Sequence, residues 1–419
     1  MPPAVTTSTT PQQRTEPTRR APGTAGRLLL PLIALCTAVT AANIYVAAPL
    51  LPLIARDFGS TPSAVAWIAS VAQFGYAAGL LFFAPLGDRV NRRRLVAALS
   101  LVTTAALTAG AVAAGTTALA AAVLVASAAT VVPQLLVPLV AERAPAHHRA
   151  RHVAAVISGL FTGIVAARVL GGLAGQAFGW RAVFVGAAVL TAALGLLTAA
   201  ALPSEQRRPR EGGLFSGLRA MPGLVRHSPD LWRACVRQAG MYGAWSALWT
   251  SLALLLTGAS YGLSTATAGL FGLFGLAASV VAPLAGGLVD RFGAAKVVRS
   301  AYLLAAVSVP LFWLGGQVLV ALFVAAIAIH AALVASHVAN QTLALTTTSA
   351  PAAANSAYVV AGFAGGATAS ALAGVAFAHW GWTGVVAVAG VWLALGWGTT
   401  AVRRGRPTPT DRRADGTAA

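Results

Sequence analysis

The chain has 419 residues, of which 57% are hydrophobic and only 9% are charged, and its formal net charge is +19. Soluble globular proteins carry roughly 25% charged residues. This composition therefore excludes a water-exposed surface over most of the molecule and indicates one that faces lipid. The basic residues stand in short runs between long apolar stretches, as in membrane proteins of fixed orientation. That placement argues against nucleic-acid binding, which the net charge alone would favour.

Long apolar stretches follow one another along the chain. About 20 apolar residues are needed to cross the hydrocarbon layer of a bilayer. The sequence offers twelve such predicted helices, at 28–54, 63–86, 94–114, 117–141, 153–175, 181–202, 233–258, 263–289, 296–315, 318–346, 354–378 and 383–401. The predicted fold class is thus all-α, a polytopic membrane protein with twelve transmembrane helices.

Polar segments divide these helices into units. Residues 1–27 read as a disordered tail, 203–232 as a linker between two groups of six helices, and 402–419 as a second tail. Lys and Arg favour loops that stay in the cytoplasm. They collect in the tails, the linker and the loops after helices 2, 4 and 8, whereas only Arg56 and Arg181 lie on the other side. We therefore expect both termini in the cytoplasm.

An internal repeat supports the division into halves. The segment A-P-L-G-D-R-V-N at 84–91 and the segment G-G-L-V-D-R-F-G at 286–293 are 202 residues apart. The dipeptides Gly179-Trp180 and Gly381-Trp382 have the same separation of 202. Two independent landmarks with one offset predict two pseudo-symmetric six-helix bundles, 28–202 and 233–401.

The first copy continues to R-R-R at 92–94, and in this form it resembles the loop G-x-L-x-D-R-x-G-R-R/K of the major facilitator superfamily. The second copy stands between helices 8 and 9, as it does in that superfamily. The resemblance implies a conformational latch on the cytoplasmic side, in which Arg92 pairs with Glu142 and Asp88 faces the start of helix 11 near Asn355 and Ser356. The latch residues would be Asp88, Arg89, Arg92, Glu142, Asp290, Arg291 and Gly293. A solvated charge cluster that only sets topology is the alternative.

Asn91 replaces the second glycine of this motif. Because asparagine is among the commonest non-glycine residues with positive φ, we expect it to hold the same turn.

Helix 5 carries a second pattern, with Gly159, Gly163, Gly171 and Gly172. It resembles G-x-x-x-G-P-x-x-G-G of the antiporter branch of the superfamily, with Ala167-Arg168 in place of Gly-Pro. The glycines predict close helix packing. The stretches L-W-T-S-L at 248–252, G-L-F-G-L-F-G at 269–275 and H-V-A-N-Q at 337–341 are similar to a group of predicted bacterial efflux permeases. The resemblance implies a drug:proton antiporter in the inner membrane of a bacterium.

Few charges fall inside the predicted helices. None of the ten acidic residues does, so proton coupling must use another group or be absent. Arg168 is the one charge well inside a helix, at a cost of at least about 2.5–3.5 kcal/mol at the bilayer centre. It could bind an anionic substrate group, or pair with carbonyls and only hold helix 5. Arg237, near the start of helix 7, is expected to reach the cytoplasmic interface.

Helix 10 places His330, His337 and Gln341 on one face. His337 is the first candidate for a proton carrier or substrate ligand, since histidine titrates near neutral pH. A hydrogen-bonded histidine between helices is the alternative, and His330 is expected to be a packing residue. The predicted cavity candidates are Asn43, Gln73, Gln134, Arg168, Trp245, His337, Asn340 and Gln341, with Tyr45, Tyr76, Gln238, Tyr242 and Tyr358 as further members of the set.

These features predict a secondary active transporter that exports a small amphipathic molecule by alternating access, in exchange for protons. An uptake permease or an uncoupled facilitator of the same fold is the first alternative, and a non-transporting membrane receptor is the second. The sequence has no metal-ligand cluster, Ser-His-Asp set or nucleotide-binding loop, so no enzyme is predicted. The expected partners are a small-molecule substrate and the lipid bilayer. We expect no cofactor besides the proton gradient, and the superfamily's habit implies a monomer.

Overall fold

The computed structural model describes residues 24–83, 85–88, 90–143, 149–203, 216–346 and 351–400. Every regular element in these ranges is helical. In lipid a backbone must satisfy its own hydrogen bonds, and a helix does so within one segment. The tails 1–23 and 401–419 and the linker residues 204–215 lie outside the described residues, as does Arg89.

Six membrane helices form the N-terminal half. They are Thr24–Asn43 continued by Ala48–Asp57 (α1), Pro62–Phe83 (α2), Arg92–Ala111 (α3), Thr116–Ala129 continued by Val132–Arg143 (α4), Arg149–Phe178 (α5) and Trp180–Ala201 (α6). The two parts of α1 meet at an angle of 44°. The unbroken helix expected over 28–54 is therefore wrong. Pro49 explains the break, because proline fits the first turn of a helix and disrupts its interior.

A linker helix, Ser216–His227, precedes the C-terminal half. The membrane helices of that half are Pro229–Thr257 (α7), Thr265–Leu270 and Ala277–Phe292 joined by the 3₁₀ segment Phe271–Leu276 (α8), Ala294–Leu314 (α9), Leu319–Thr346 (α10) and Pro351–Gly398. Gly381, with φ of 58°, divides the last of these into α11 (351–380) and α12 (382–398). The α7 helix begins before residue 233 because Ser228 caps it and Pro229 occupies its first position.

The count of spans agrees with the predicted fold class. Among the described residues, nine helices are long and apolar enough to cross a membrane, and the bent α1 adds a tenth. The division at Gly381 and the interrupted α8 bring the number to the twelve expected. Large apolar side chains on the outer surface remain exposed, as expected for contact with lipid; examples are Leu101, Leu173, Val189, Leu197, Val307 and Val391.

The two repeated loops begin their helices differently. Gly293, with φ of 83°, precedes α9 and provides no side-chain cap. Asn91 has φ of −62°, and its side-chain oxygen accepts hydrogen bonds from the backbone of Arg93 and Arg94. The expectation of a positive φ at Asn91 is therefore wrong. An asparagine side chain can satisfy the first N–H groups of a helix directly, so the glycine-like turn is not needed.

Glycines on α5 let this helix touch the backbone of α1. A methyl group at Gly163 would lie 2.6 Å from the carbonyl carbon of Ala38, and one at Gly159 would lie 3.0 Å from that of Ala34. The close packing expected from the helix 5 pattern is thus confirmed. Gly365 of α11 contacts Ala239 of α7 in the same way. Residue 365 is 202 positions after 163, so the repeat extends to the packing of the two halves.

Glycines also join one half to the other. A methyl group at Gly172 of α5 would lie 3.0 Å from the Cα of Gly269 in α8. A methyl group at Gly272 of α8 would lie 2.7 Å from the Cβ of Arg168 in α5. We call these contacts of Gly172, Gly269 and Gly272 between α5 and α8 the glycine seam. It lies at the end of the bundle that carries the 258–264 connection, which we call the seam face. The end that carries the linker helix is called the linker face.

Candidate functional site

Arg168 of α5 lies inside an enclosure of aromatic rings between the halves. Its guanidinium carbon is 5.1 Å from the ring centroids of Tyr45 and Trp245 and 5.3 Å from that of Trp249. Tyr45 comes from the break in α1, and the two tryptophans lie one turn apart on α7. We call these four residues the aromatic enclosure. Since α1 and α5 belong to one half and α7 to the other, the enclosure spans their interface.

Burial leaves Arg168 only partly stabilised. The side chain is 7% exposed, and its Nη1 has no hydrogen-bond partner within the described chain. Contacts with ring faces contribute about 0.5–2 kcal/mol each. They do not replace the hydrogen bonds that a guanidinium makes in water. The Nε1 of Trp249 also lacks a partner among these residues. The enclosure therefore contains two buried N–H donors that have no acceptor among the described residues.

His330 of α10 fixes the orientation of Trp245. Trp245 Nε1 donates to His330 Nε2 at 3.1 Å, which requires that nitrogen to be unprotonated. The Nδ1 nitrogen then carries the proton and donates to the carbonyl of Ala326 at 2.8 Å. Because both nitrogens are engaged, His330 is a neutral supporting residue. It differs from the packing residue expected, since its contacts are hydrogen bonds as well as its ring contact with Trp249.

A polar network of α2, α7 and α11 adjoins the enclosure. Gln73 donates to Ser370 at 3.0 Å and accepts from Ser246 at 2.8 Å. Ser370 also contacts the hydroxyls of Ser246 and Thr250. All four side chains are buried. Gln73 thus links the halves. The three hydroxyl groups of this network are not predicted from the sequence, because isolated Ser and Thr give no pattern in a membrane protein.

Tyrosine hydroxyls extend this region. Tyr45 and Tyr242 share a hydrogen bond of 2.5 Å, and Tyr242 packs against Phe363 with centroids 5.0 Å apart. Gln134 donates to the hydroxyl of Tyr76 at 3.3 Å. The predicted candidates Gln73, Arg168 and Trp245 therefore lie along the interface, whereas Gln134 contacts Tyr76 of its own half, which packs against Phe363 with centroids 4.5 Å apart.

A second cluster lies nearer the linker face. Tyr358 of α11 donates to Gln238 of α7 at 2.5 Å, and its hydroxyl is 3.3 Å from Nδ1 of His337. His337 is half-buried. Gln341, one turn further along α10, donates to Asn355 at 2.8 Å. His337 and Gln341 thus contact α11 and do not reach the aromatic enclosure.

Arg237 corrects another expectation. Its side chain does not extend to the surface of the membrane. It is 8% exposed, and its guanidinium donates to Asn340 at 3.1 Å. Asn340 in turn donates to Ser336 at 3.1 Å. The reason is that α7 begins at Pro229, so that Arg237 lies two turns inside the helix. Asn340 therefore serves α7–α10 packing.

Asn43 also serves helix packing. It donates to Thr191 of α6 at 2.9 Å and to Thr130 of α4 at 3.4 Å. The side chain is 3% exposed. It holds the N-terminal half together at the break in α1 and is not brought to the aromatic enclosure.

The pairing expected in the first repeated loop is present. Arg92 donates to both oxygens of Glu142, at 2.7 and 2.8 Å, and to the carbonyl of Gly87 at 3.2 Å. Arg92 is 3% exposed, whereas the side chain of Glu142 is 55% exposed. In the second loop Asp290 and Arg291 are exposed at the end of α8. The side chain of Asp88 lies outside the described residues, so its expected contact with helix 11 stays a prediction.

We expect Glu142→Gln to lower the free energy of unfolding by about 2 kcal/mol, because it removes a two-point charge-assisted hydrogen bond from a buried arginine. Asp230→Asn is the matched control, since Asp230 pairs with Arg233 but its side chain is 63% exposed. It should cost less than about 1 kcal/mol. Thermal unfolding of the purified variants measures both. Equal losses would show that the Arg92–Glu142 pair is an ordinary surface contact.

Twelve membrane helices in two repeated halves, with a buried cation and polar side chains on the interface between them, define a membrane transporter. The chain belongs to the Major Facilitator Superfamily, whose family model matches residues 33–237 and again residues 234–419. The two matched ranges together cover both halves of the chain.

Two curated relatives share most of their length with this chain. The probable transporter SCO4007 of Streptomyces coelicolor is 82% identical over 401 residues, which cover 95% of this chain and 93% of the relative. The uncharacterized transporter YgaY of Escherichia coli O157:H7 is 33% identical over 375 residues, covering 88% and 93%. Among solved structures, the nucleoside transporter NupG superposes with a TM-score of 0.72 at 12% identity, over 89% of this chain and 98% of that chain. This likeness shows the fold alone.

Proposed function

We propose that this chain is a secondary active transporter that exports a small amphipathic molecule by alternating access, in exchange for protons. The observation that carries the proposal is the aromatic enclosure on the interface between the halves, closed toward the seam face by glycine contacts. Beside Arg168 and Trp249 remains a cavity of about 30 Å³, lined also by Gly269 and Gly272. Separating α5 from α8 would open this site to the seam face. Bringing the two helices back together would close it again.

A larger cavity supports an amphipathic substrate. It measures about 870 Å³ and lies under the linker helix at the linker face, between α2, α7 and α11. Binding sites for small molecules measure about 300–1,000 Å³. Its lining is apolar apart from Arg226, and examples are Leu81, Met221, Val225, Trp232, Val360 and Ala361. Such a lining suits a molecule that enters from the lipid layer with its apolar part first.

The orientation belongs to the same proposal. The linker face carries exposed Arg93, Arg94, Arg291, Lys296 and Arg299. Positive residues favour the cytoplasmic side. We therefore place the linker face in the cytoplasm of a bacterium and the seam face outside its inner membrane. The Arg92–Glu142 pair at the linker face would then act as part of the cytoplasmic latch.

Proton coupling is proposed to use His337. Among the described residues, no acid lies inside a membrane helix away from its ends. His337 is half-buried, and its ring faces the hydroxyl of Tyr358, which is bonded to Gln238. On α7, Arg237 precedes Gln238 in the sequence, and its guanidinium donates a hydrogen bond to Asn340. An imidazole in this position can take up and release a proton as the halves move.

In proteoliposomes with an imposed pH gradient, we expect His337→Gln to abolish gradient-driven transport of a panel of amphipathic dyes. Counterflow without a gradient should persist, because the aromatic enclosure is unchanged. His379→Gln is the control, since His379 is exposed at the other end of α11. Dye movement that ignores the gradient in the unmodified protein would instead identify an uncoupled facilitator. Dye movement in the same direction as the protons would identify an uptake permease.

A further inference from the structure

Arg168 has no acidic partner in the part of the chain that the structure describes. The acidic residues in these ranges lie at helix ends: Asp57, Asp88, Glu142, Asp230 and Asp290. Three of them pair with other arginines, namely Asp57 with Arg181, Glu142 with Arg92, and Asp230 with Arg233. A cation left unpaired inside a membrane protein is costly, and such residues mark substrate pathways.

The polar groups around Arg168 define the chemistry that is missing. Arg168 Nη1 and Trp249 Nε1 are both buried and have no acceptor within the described residues. The neighbouring hydroxyls of Tyr45 and Tyr242 already bond to each other. Both nitrogens of His330 are engaged as well. The site thus offers two free donors and one positive charge, so a complementary ligand must bring acceptors and a negative charge.

The walls of the site define the rest of the ligand. Trp245 and Trp249 are nearly parallel, with an interplanar angle of 12° and centroids 6.1 Å apart. Leu252 and Phe271 also line the cavity. These surfaces are apolar and flat, and they favour a carbon skeleton over a hydrated inorganic ion.

We propose that Arg168 and Trp249 bind the anionic group of a singly charged organic acid, whose apolar body packs against the tryptophans. This inference rests on the proposed function and names the chemical class of its substrate. The present cavity of about 30 Å³ has room for about one water molecule. The acid is therefore bound when α5 and α8 are further apart than they are here.

Binding of 1-naphthoate to the purified protein in detergent, measured by calorimetry without any gradient, tests the inference. We expect 1-naphthoate to bind at least about tenfold more tightly than the neutral 1-naphthamide, and chloride to compete weakly. Arg168→Gln should weaken naphthoate binding by about ten- to a hundredfold, the usual effect of losing a charged hydrogen bond. Arg168→Lys should lose less, because it keeps the charge. Trp249→Phe should lower the affinity for naphthoate severalfold, since it keeps an aromatic ring but loses the N–H donor.

The control is Arg299→Gln, which removes an exposed arginine at the start of α9 and should leave binding unchanged. Equal affinity for the acid and the amide would overturn the inference. Naphthoate binding that survives Arg168→Gln, or chloride binding as tight as that of naphthoate, would do the same. Failure of naphthoate to bind the unmodified protein would also overturn it.

Counterflow of labelled naphthoate in proteoliposomes separates this inference from the proposed function. Binding that depends on Arg168 but gives no counterflow would keep the ligand site and remove the transport. Counterflow of neutral compounds that Arg168→Gln leaves unaltered would keep the transport and remove the anion site.

Discussion

Substituting Gly163 by alanine is expected to destabilise the N-terminal half by about 2 kcal/mol. The added methyl group would overlap the backbone carbonyl of Ala38, at 2.6 Å from its carbon. A backbone carbonyl inside a membrane helix cannot move aside as a side chain can, so α1 and α5 must separate. Helix propensity predicts the opposite sign, because alanine stabilises a helix by up to about 1 kcal/mol relative to glycine. The direction of the change therefore decides between packing and propensity.

The matched control is Gly186→Ala in α6, where the added methyl group meets nothing within 4 Å. That variant should be neutral or slightly more stable. The unfolding midpoints of the two proteins are compared by heating them in detergent and measuring the remaining folded protein by size-exclusion chromatography. If both substitutions changed the unfolding midpoint in the same direction, the close contact between α1 and α5 would not contribute to stability.

A leucine at Gly269 is expected to reduce transport by more than about tenfold while leaving the protein folded. Even a methyl group there would lie 2.7 Å from the carbonyl oxygen of Arg168 and 3.1 Å from the Cα of Gly172. The larger side chain would hold the glycine seam open. Because the seam joins the halves and not the helices within one half, each bundle should assemble normally. The transporter would lose the state in which the seam face is closed.

Labelling of a cysteine at Leu252 reads out this change directly. Leu252 lines the small cavity behind the seam and is 4% exposed. Thiol-specific reagents should modify Leu252→Cys slowly in the otherwise unmodified protein and at least about tenfold faster when Gly269→Leu is also present. Gly287→Leu, in the same helix but with nothing within 4 Å of an added methyl group, is the control. Unchanged labelling with Gly269→Leu would mean that the seam is not a gate.

The fold could be predicted because lipid allows few solutions. Long apolar stretches must be helices there, and the landmarks at Asp88 and Asp290 locate the two halves. The breaks were harder to predict, since apolar residues continue through them. Pro49 and the Ser228-Pro229 pair did carry the information, because proline at the first turn of a helix marks a new start. Asn91 was misjudged because two different backbone conformations can begin a helix.

The site could be predicted only in part. Arg168 was identifiable from its charge alone, since a cation inside an apolar helix needs a reason. Its neighbours Tyr45 and Trp249 come from helices far apart in the sequence, and only the packing of the halves brings them to it. Trp249 lies four residues after Trp245, which places both on one helix face. His337 and Arg168 are both predicted cavity residues, whereas their contacts belong to two separate clusters.

The start of α3 combines an electrostatic penalty with two contacts that offset it. Helix dipoles favour acidic residues in the first turn and disfavour cations there, by about 0.3–1 kcal/mol for each residue. The first turn of α3 nevertheless holds Arg92, Arg93 and Arg94 and no acid. Asn91 and Glu142 offset this electrostatic penalty through the cap and the ion pair. The cap and the ion pair therefore let this loop hold three positive charges at a helix start that would otherwise be weakened by them.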